Sequence, residues 1–317
     1  MNPKFAAIVK YPLPMTLNRK YTEKEIKSVS KYPSVSKNDQ MSLSTEDQKN
    51  NPSHISNKRY HHIRIGSINV RTAKCESKLA EHVLHIQHLQ HHVTCIQEAR
   101  IKSQGEIVFQ KGDPLHGWRV LHNGMKTANA GVAIVLAPHV ILEDVEHIMD
   151  GRISAVRVEI YGVKLVIFSC YGPTEQHSET TKSVFYDKLR KAVIEMEKNH
   201  PSFKIILAGD FNTSIGDDCS PDSWQCVGKF HDNIETSFNG TKLIETSENL
   251  RLKILNTMFE PKNERHRFTF NSNLGYSRRL DYIICDGYLR KFVKQCRAYP
   301  GSSEEFDSDH VMVVADF

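Results

Sequence analysis

Six short apolar runs in this chain each carry, at one end, a polar side chain able to do chemistry. "IGSIN" closes on Asn69, "VTCIQE" on Glu98, "VIFSCY" on Tyr171, and "IILAGDFN" on Asp210 and Asn212. "RRLDYIICD" opens at Asp281, and the closing stretch "DSDHVMVVADF" opens at Asp309 and His310. Runs of this length and composition are strands. A strand fixes a position and the adjoining loop gives access, so sheets present functional groups at strand ends. If these ends share one edge, four carboxylates, two amides, a tyrosine and a histidine converge. Four like charges can share a site only with a divalent cation, shifted pKa values, or both. Oxygen donors of this kind suit Mg²⁺, with Mn²⁺ as the alternative.

Between these runs lie helices and further strands. "KLAEHVLHIQHLQHH" has apolar residues at 79, 83, 86 and 89, a helical spacing. In "SETTKSVFYDKLRKAVIEMEKN", Phe185, Leu189, Val193 and Met196 line one face, and Ser178 or Thr180 is placed to cap it. "TKLIETSENLRLKILN" reads as helix then strand, and "GWRVLHN", "AGVAIVLAP", "RISAVRVEIYG" and "KLVIFSCYGP" read as strands. Tyr161-Gly162 between the last two marks a hairpin. The alternation predicts a layered α/β domain over residues 61–317.

Residues 1–60 differ in texture. They hold 11 Lys/Arg against 5 Asp/Glu, a surplus of +6, whereas the whole chain carries +5, so the remainder is −1. The segment is rich in Ser, Asn, Lys and Gln and poor in aliphatics, and is expected to be a disordered basic leader able to add weak attraction to phosphate backbones. No run is long enough to span a membrane, and "MNPKFAAIVKYPLPM" lacks the apolar core of a signal peptide, so an intracellular protein is expected. Seven cysteines without a CxxC pair fit reduced thiols and argue against a disulfide framework or structural zinc site.

"SINV", "IQE", "YGPT", "GDFN", "RRLDYI" and "SDH" stand in the order and spacing of the endonuclease/exonuclease/phosphatase superfamily, and the text resembles the apurinic/apyrimidinic-type endonuclease domain of non-LTR retrotransposons. The resemblance covers residues 61–317. It implies a DNase I-like four-layer sandwich, with two mixed β-sheets packed face to face and helices outside. It also implies a Mg-dependent endonuclease nicking DNA to leave 3′-hydroxyl and 5′-phosphate ends. By that resemblance Glu98 is the principal metal ligand, helped by Asn69 and Asp309. Asp210 orients or deprotonates the attacking water. Asn212 binds the scissile phosphate. His310, oriented by Asp281, donates to phosphate oxygens, and Tyr171 touches the phosphate or leaving oxygen. Thr269, Arg279 and Arg71 are the further substrate contacts expected. DNA is the expected partner, no obligate protein partner is evident, a monomer is expected, and a DNA substrate implies the nucleus. The resemblance implies a retroelement-derived gene or fragment, and with no reverse transcriptase text after the nuclease motifs a domesticated, truncated or incompletely predicted gene is expected.

The chain departs from its relatives in places. Arg71 stands where many have Asp, Thr174 follows Pro173 where many have Asn, and Phe270 replaces the usual indole after Thr269. The alternatives are the same fold acting on RNA or a phosphoinositide-type phosphoester, or a catalytically silent binding protein. The histidines at 82, 85, 88, 91 and 92 read as a His-rich helix face, since no cysteine or carboxylate completes a metal site there. Lys102 and Lys111 are read as lying in a loop after Glu98.

Overall fold

The computed structural model describes residues 62–125, 130–218 and 225–317. The compact unit that contains them runs His61–Phe317; the segment 1–60, read above as disordered, lies outside the described residues. Among the described residues no helix is long and apolar enough to cross a membrane.

Two mixed sheets form the body. The first has seven strands in the spatial order β14 (Gln295–Tyr299), β15 (Met312–Asp316), β1 (Arg64–Asn69), β2 (Val93–Gln97), β5 (Gly131–Leu136), β4 (Arg119–Gly124) and β3 (Gln104–Val108). The second has six: β10 (Leu252–Ile254), β13 (Asp281–Asp286), β9 (Lys204–Asp210), β8 (Val163–Tyr171), β7 (Ile153–Ile160) and β6 (Ile141–Met149). Among the described residues β1–β2 and β8–β9 are the parallel pairs; a helix in each connection provides the length a crossover needs. A small third ladder pairs β11 (Phe270–Asn271) with β12 (Ser277–Arg278).

The central strands of both sheets read as continuous apolar runs because both faces are covered. Ile68, Cys95, Ile134, Ile167, Ile206 and Ile283 belong to one buried cluster, drawn from both sheets. Helix α1 (Glu76–His88) buries Leu79, Val83 and Ile86 into that same cluster from outside. Helices α2 (Glu179–Asn199) and α3 (Phe238–Asn249) cover the second sheet through Phe185, Leu189, Val193, Met196 and Leu243. This is the expected four-layer sandwich. Ser178 caps α2, its hydroxyl accepting the Thr181 N–H at 3.3 Å. The Tyr161-Gly162 hairpin has both residues left-handed, φ 52° and 81°, the geometry that matches strand twist in a two-residue turn.

The fold also contains elements not anticipated above. β3, β6 and β14 are edge strands, and β3 occupies the stretch between Lys102 and Lys111 that was read as loop. A short helix, α4 (Ser302–Phe306), precedes the last strand, and Phe306 stacks on buried His82 at 5.3 Å. One histidine of the His-rich helix is therefore core material: burial lowers the His82 pKa to about 4, and the ring stays neutral.

Candidate active site

Strand register brings the polar ends together. Tyr171 pairs with Asp210 across β8–β9, and Asp210 pairs with Asp281 across β9–β13, so three site residues form one row on the second sheet. On the first sheet Asn69 pairs with Gln97, and Glu98 follows immediately. Close strand approach depends on two glycines. A Cβ at Gly209 would lie 1.9 Å from the Cys170 carbonyl oxygen, and one at Gly172 would lie 2.5 Å from that of Phe211. That is the physical content of the Gly in "GDFN" and "YGP".

Arg71, Glu98, Arg100, Asn212 and Asp307 are all left-handed non-glycine residues, with φ between 48° and 56°. Each follows a strand or helix end at this rim. Such conformations cost about 1 kcal/mol or more apiece and persist where surrounding structure enforces them, commonly at functional sites.

The side chains join in one hydrogen-bonded network. The Asn69 amide nitrogen donates to Glu98 Oε1 at 3.1 Å and to Asp210 Oδ2 at 3.0 Å, placing one neutral donor between two carboxylates. Its oxygen accepts the Arg71 N–H at 2.9 Å, leaving one lone pair free. Asn69 is thus first a spacer. The Tyr171 hydroxyl donates to Glu98 Oε1 at 3.0 Å, and Arg100 Nη2 lies 2.5 Å from Glu98 Oε2. Burial alone would raise the Glu98 pKa; the bonds from Asn69, Arg100 and Tyr171 outweigh it and hold the carboxyl below its usual range. Asp210 Oδ1 accepts the Asn212 N–H at 2.9 Å, and the Asn212 side chain donates to the Gly172 carbonyl at 3.0 Å.

On the other side of Asp210, His310 Nδ1 donates to Asp281 Oδ2 at 2.9 Å, and its Nε2 lies 3.9 Å from Asp210 Oδ2. Burial opposes charge on this ring, but Asp281 and Asp210 more than offset it, and the His310 pKa is pushed up to about 9. Asp210 is pushed up to about 7, by burial first and by the neighbouring Asp281 charge second. Glu98 and His310, far apart in the chain, therefore meet through Asn69 and Asp210.

Other expected residues sit differently. Asp309 is at the rim with its side chain 29% exposed, 3.8 Å from Arg71 Nε, so it is paired with Arg71 rather than with Glu98. Thr269 was expected to touch substrate, but it is fully buried and its hydroxyl accepts the N–H groups of Leu280 and Asp281 at 2.9 and 3.0 Å. Its place is behind Asp281, which it positions. Arg279 was also expected at the substrate and is not there. Its side chain is 2% exposed, ion-paired with buried Asp232 at 3.1 Å and donating to the Phe230 carbonyl at 2.9 Å. A guanidinium so enclosed and so paired does not reach a phosphate at the surface.

Three contributors escaped the sequence reading. Arg100 follows Glu98 by two positions, and a charge count over the carboxylates would have pointed to it. Arg152 lies opposite Tyr171 in the β7–β8 hairpin, its guanidinium 4.6 Å from the Tyr171 ring centre and donating to the carbonyls of Tyr171 and Gly172. Ser308 donates to the Asn69 carbonyl at 2.6 Å and accepts the His310 N–H at 3.1 Å, tying the end of β1 to the start of β15. No local pattern marks either.

The sequence profile described as the Endonuclease/Exonuclease/phosphatase family matches residues 66–310. The chain belongs to the endonuclease/exonuclease/phosphatase family. This family is made of hydrolases acting on phosphoesters, many of them nucleases, and its members typically depend on divalent metals. A 3′-phosphatase, NExo, from Neisseria, solved bound to product DNA hairpin, superimposes with TM-score 0.60 at 21% identity, over 80% of this chain and 99% of that one. The endonuclease domain of TRAS1, a telomere-specific non-LTR retrotransposon, superimposes with TM-score 0.54 at 17% identity, over 81% and 98%. Craniofacial development protein 2 from Bos taurus is 29% identical over 172 residues, 54% of this chain. The match spans only 27% of that relative's length.

The residues fit the family's divalent ion. Asp281 Oδ1 is buried with no hydrogen-bond partner, an acceptor left wanting a positive neighbour. One donor atom from each of Asp210, Asp281 and His310 lies within 4.8 Å of the others, so these three can hold an ion. Glu98, joined to Asp210 through Asn69, is a further and more accessible carboxylate beside them.

Proposed function

We propose that this chain is a divalent-metal-dependent endonuclease that nicks DNA, leaving 3′-hydroxyl and 5′-phosphate ends. The observation that carries the reading is the pairing of a buried His310–Asp281 couple with a carboxylate network, Glu98–Asn69–Asp210, at one strand edge. That edge provides the two things phosphodiester hydrolysis needs: positive donors for charge developing on phosphate oxygens, and a base for water.

Glu98 would hold Mg²⁺ or Mn²⁺, helped by the free lone pair of the Asn69 oxygen and by Asp309. When bound, the metal would polarise the scissile phosphate and stabilise the leaving oxygen. Asp210, raised to about 7, is matched to take a proton from water near neutral pH. Its acceptor geometry is fixed by Asn69 and by the Asn212 backbone. Imidazolium His310 offers its Nε2–H to a non-bridging oxygen, and Asp281 holds the tautomer and favours the charge. The Tyr171 hydroxyl keeps Glu98 in place. Arg71, exposed beside Asp309, reaches a flanking phosphate. The likeness to a retrotransposon endonuclease domain supports a retroelement origin, and action on DNA implies the nucleus.

Supercoiled plasmid with Mg²⁺ or with EDTA, followed by sequencing of the cut ends, tests the reading. Mg²⁺-dependent conversion to open circles with 3′-hydroxyl termini is expected. Parallel incubations with oligo(A) and inositol phosphates separate DNA from the other phosphoesters; cleavage of those substrates alone overturns the DNA assignment.

A further inference from the structure

Glu98 is not an open ligand. Its Oε1 accepts from Asn69 and Tyr171, and its Oε2 is held by Arg100 at 2.5 Å. Two full positive charges on one carboxylate repel each other at contact distance. We propose that Arg100 is a built-in counter-cation of Glu98, which a divalent ion must displace in order to bind, so that this arginine sets the metal affinity of the site. The proposal rests on the reading of Glu98 as the metal-binding carboxylate.

The ion pair is not a chance surface encounter. Both of its residues are left-handed, Glu98 with φ 51° and Arg100 with φ 54°. The turn between them is pinned: the Ala99 N–H donates to the Gly131 carbonyl at 3.0 Å, and the Ala73 N–H donates to the Ala99 carbonyl at 3.0 Å. A Cβ at Gly131 would come 3.0 Å from the Arg100 nitrogen, so the strand opposite is cut back to admit this turn. Strained backbone at both ends of one contact is retained where the contact is needed.

The guanidinium is nevertheless releasable. The Arg100 side chain is 38% exposed, against 17% for Glu98, so water can solvate it as it leaves. Its Nε is buried without a partner where it now sits, so departure breaks one strong contact and relieves one unsatisfied donor. The same arrangement recurs at the rim, where Asp309 is paired with Arg71. Both accessible carboxylates of the site thus come with an arginine already in place, while the enclosed Asp281 is paired with His310.

The test is Mn²⁺ binding to the chelator-stripped full chain, followed by electron paramagnetic resonance of the free ion and by calorimetry. Arg100→Gln should tighten Mn²⁺ binding by about three- to tenfold. Arg100→Lys, which keeps a cation at the position, should stay near wild type. Arg100→Gly removes the charge and suits a left-handed backbone, so it should fold and show the same tightening as Arg100→Gln. Glu98→Gln separates the two readings. If it leaves Mn²⁺ affinity unchanged, Glu98 is not the metal carboxylate, and both fall. If it weakens binding while Arg100→Gln and Arg100→Gly bind Mn²⁺ no tighter than wild type, the counter-cation role alone is overturned.

Discussion

His310 Nδ1 lies 2.9 Å from Asp281 Oδ2, with the two side chains 7% and 0% exposed. Burial would strip the imidazole of its proton, yet the ring is held charged, its pKa pushed up to about 9 against the desolvation cost by Asp281 and Asp210. The sign of that balance depends on Asp281. Replacing it with Asn leaves burial in place and removes the neighbour that contributes most in favour of the charge. In Asp281→Asn the His310 titration, followed by the NMR shifts of its ring protons in EDTA, should move below that of the wild type. Nicking should fall by about 100-fold or more, the scale of a lost acid–base or oxyanion donor. A ring that titrates at the wild-type pH in this variant would remove Asp281 from its orienting role.

The same shifts fix how the metal-free protein responds to pH. The folded pKa of His310 lies above its unfolded value of about 6.5. Its proton therefore contributes stability that is fully present below pH ~6.5 and lost as pH rises through about 9. Asp210 is also raised in the folded state, to about 7, so its ionisation costs stability as pH rises from its unfolded value of about 3.9 through 7. Both groups act in one direction. In EDTA the melting temperature should decline from pH 6 to pH 10, and His310→Gln should flatten the upper part of that decline. A wild-type melting temperature that rises over this range contradicts both shifts.

Arg279 and Asp232 test the correction to the substrate contacts. Their side chains are 2% and 3% exposed. Removing one partner of a buried pair strands the other charge, at a cost of about 3–5 kcal/mol. Arg279→Met should destabilise by that amount in urea, and adding Asp232→Asn should recover much of it. The double variant should still nick plasmid under conditions where it is folded, because neither group reaches substrate. A folded double variant that has lost nicking altogether would return Arg279 to the site.

What the sequence made legible, and what it hid, follows burial and distance. The central strands were readable because both faces are apolar: β2, β5 and β15 are near-continuous runs of buried residues. β3, β6 and β14 were not, because each is an edge strand with a mixed or exposed pattern and so carries no apolar run to detect. The strand-end residues Asn69, Glu98, Tyr171, Asp210, Asp281 and His310 were legible as chemistry, and register brings them together. The arginines were not sorted correctly, since a guanidinium takes its role from its partner. Arg279 finds Asp232 in a loop without periodicity, and Arg152 reaches Tyr171 only through the hairpin ladder. Thr269 was named for the substrate because it fits the family's Thr-Trp motif, yet its hydroxyl faces the backbone of Leu280 and Asp281.

Thr269 supports a sharper expectation of its own. Its hydroxyl accepts two buried N–H groups, and Thr269→Val, which preserves shape, leaves both without an acceptor. An unsatisfied buried donor costs about 1–3 kcal/mol. The loss should appear in urea unfolding and also in catalysis, because the N–H of Asp281 itself is one of the two donors. Loosening that residue loosens the carboxylate that holds His310. The nicking rate at saturating DNA should fall while the concentration of DNA giving half-maximal rate changes little, since Thr269 is buried away from substrate. Thr269→Ser, which restores the acceptor, should recover both stability and rate. A rise in the half-maximal DNA concentration with an unchanged maximal rate would instead make Thr269 the substrate contact that the motif first suggested.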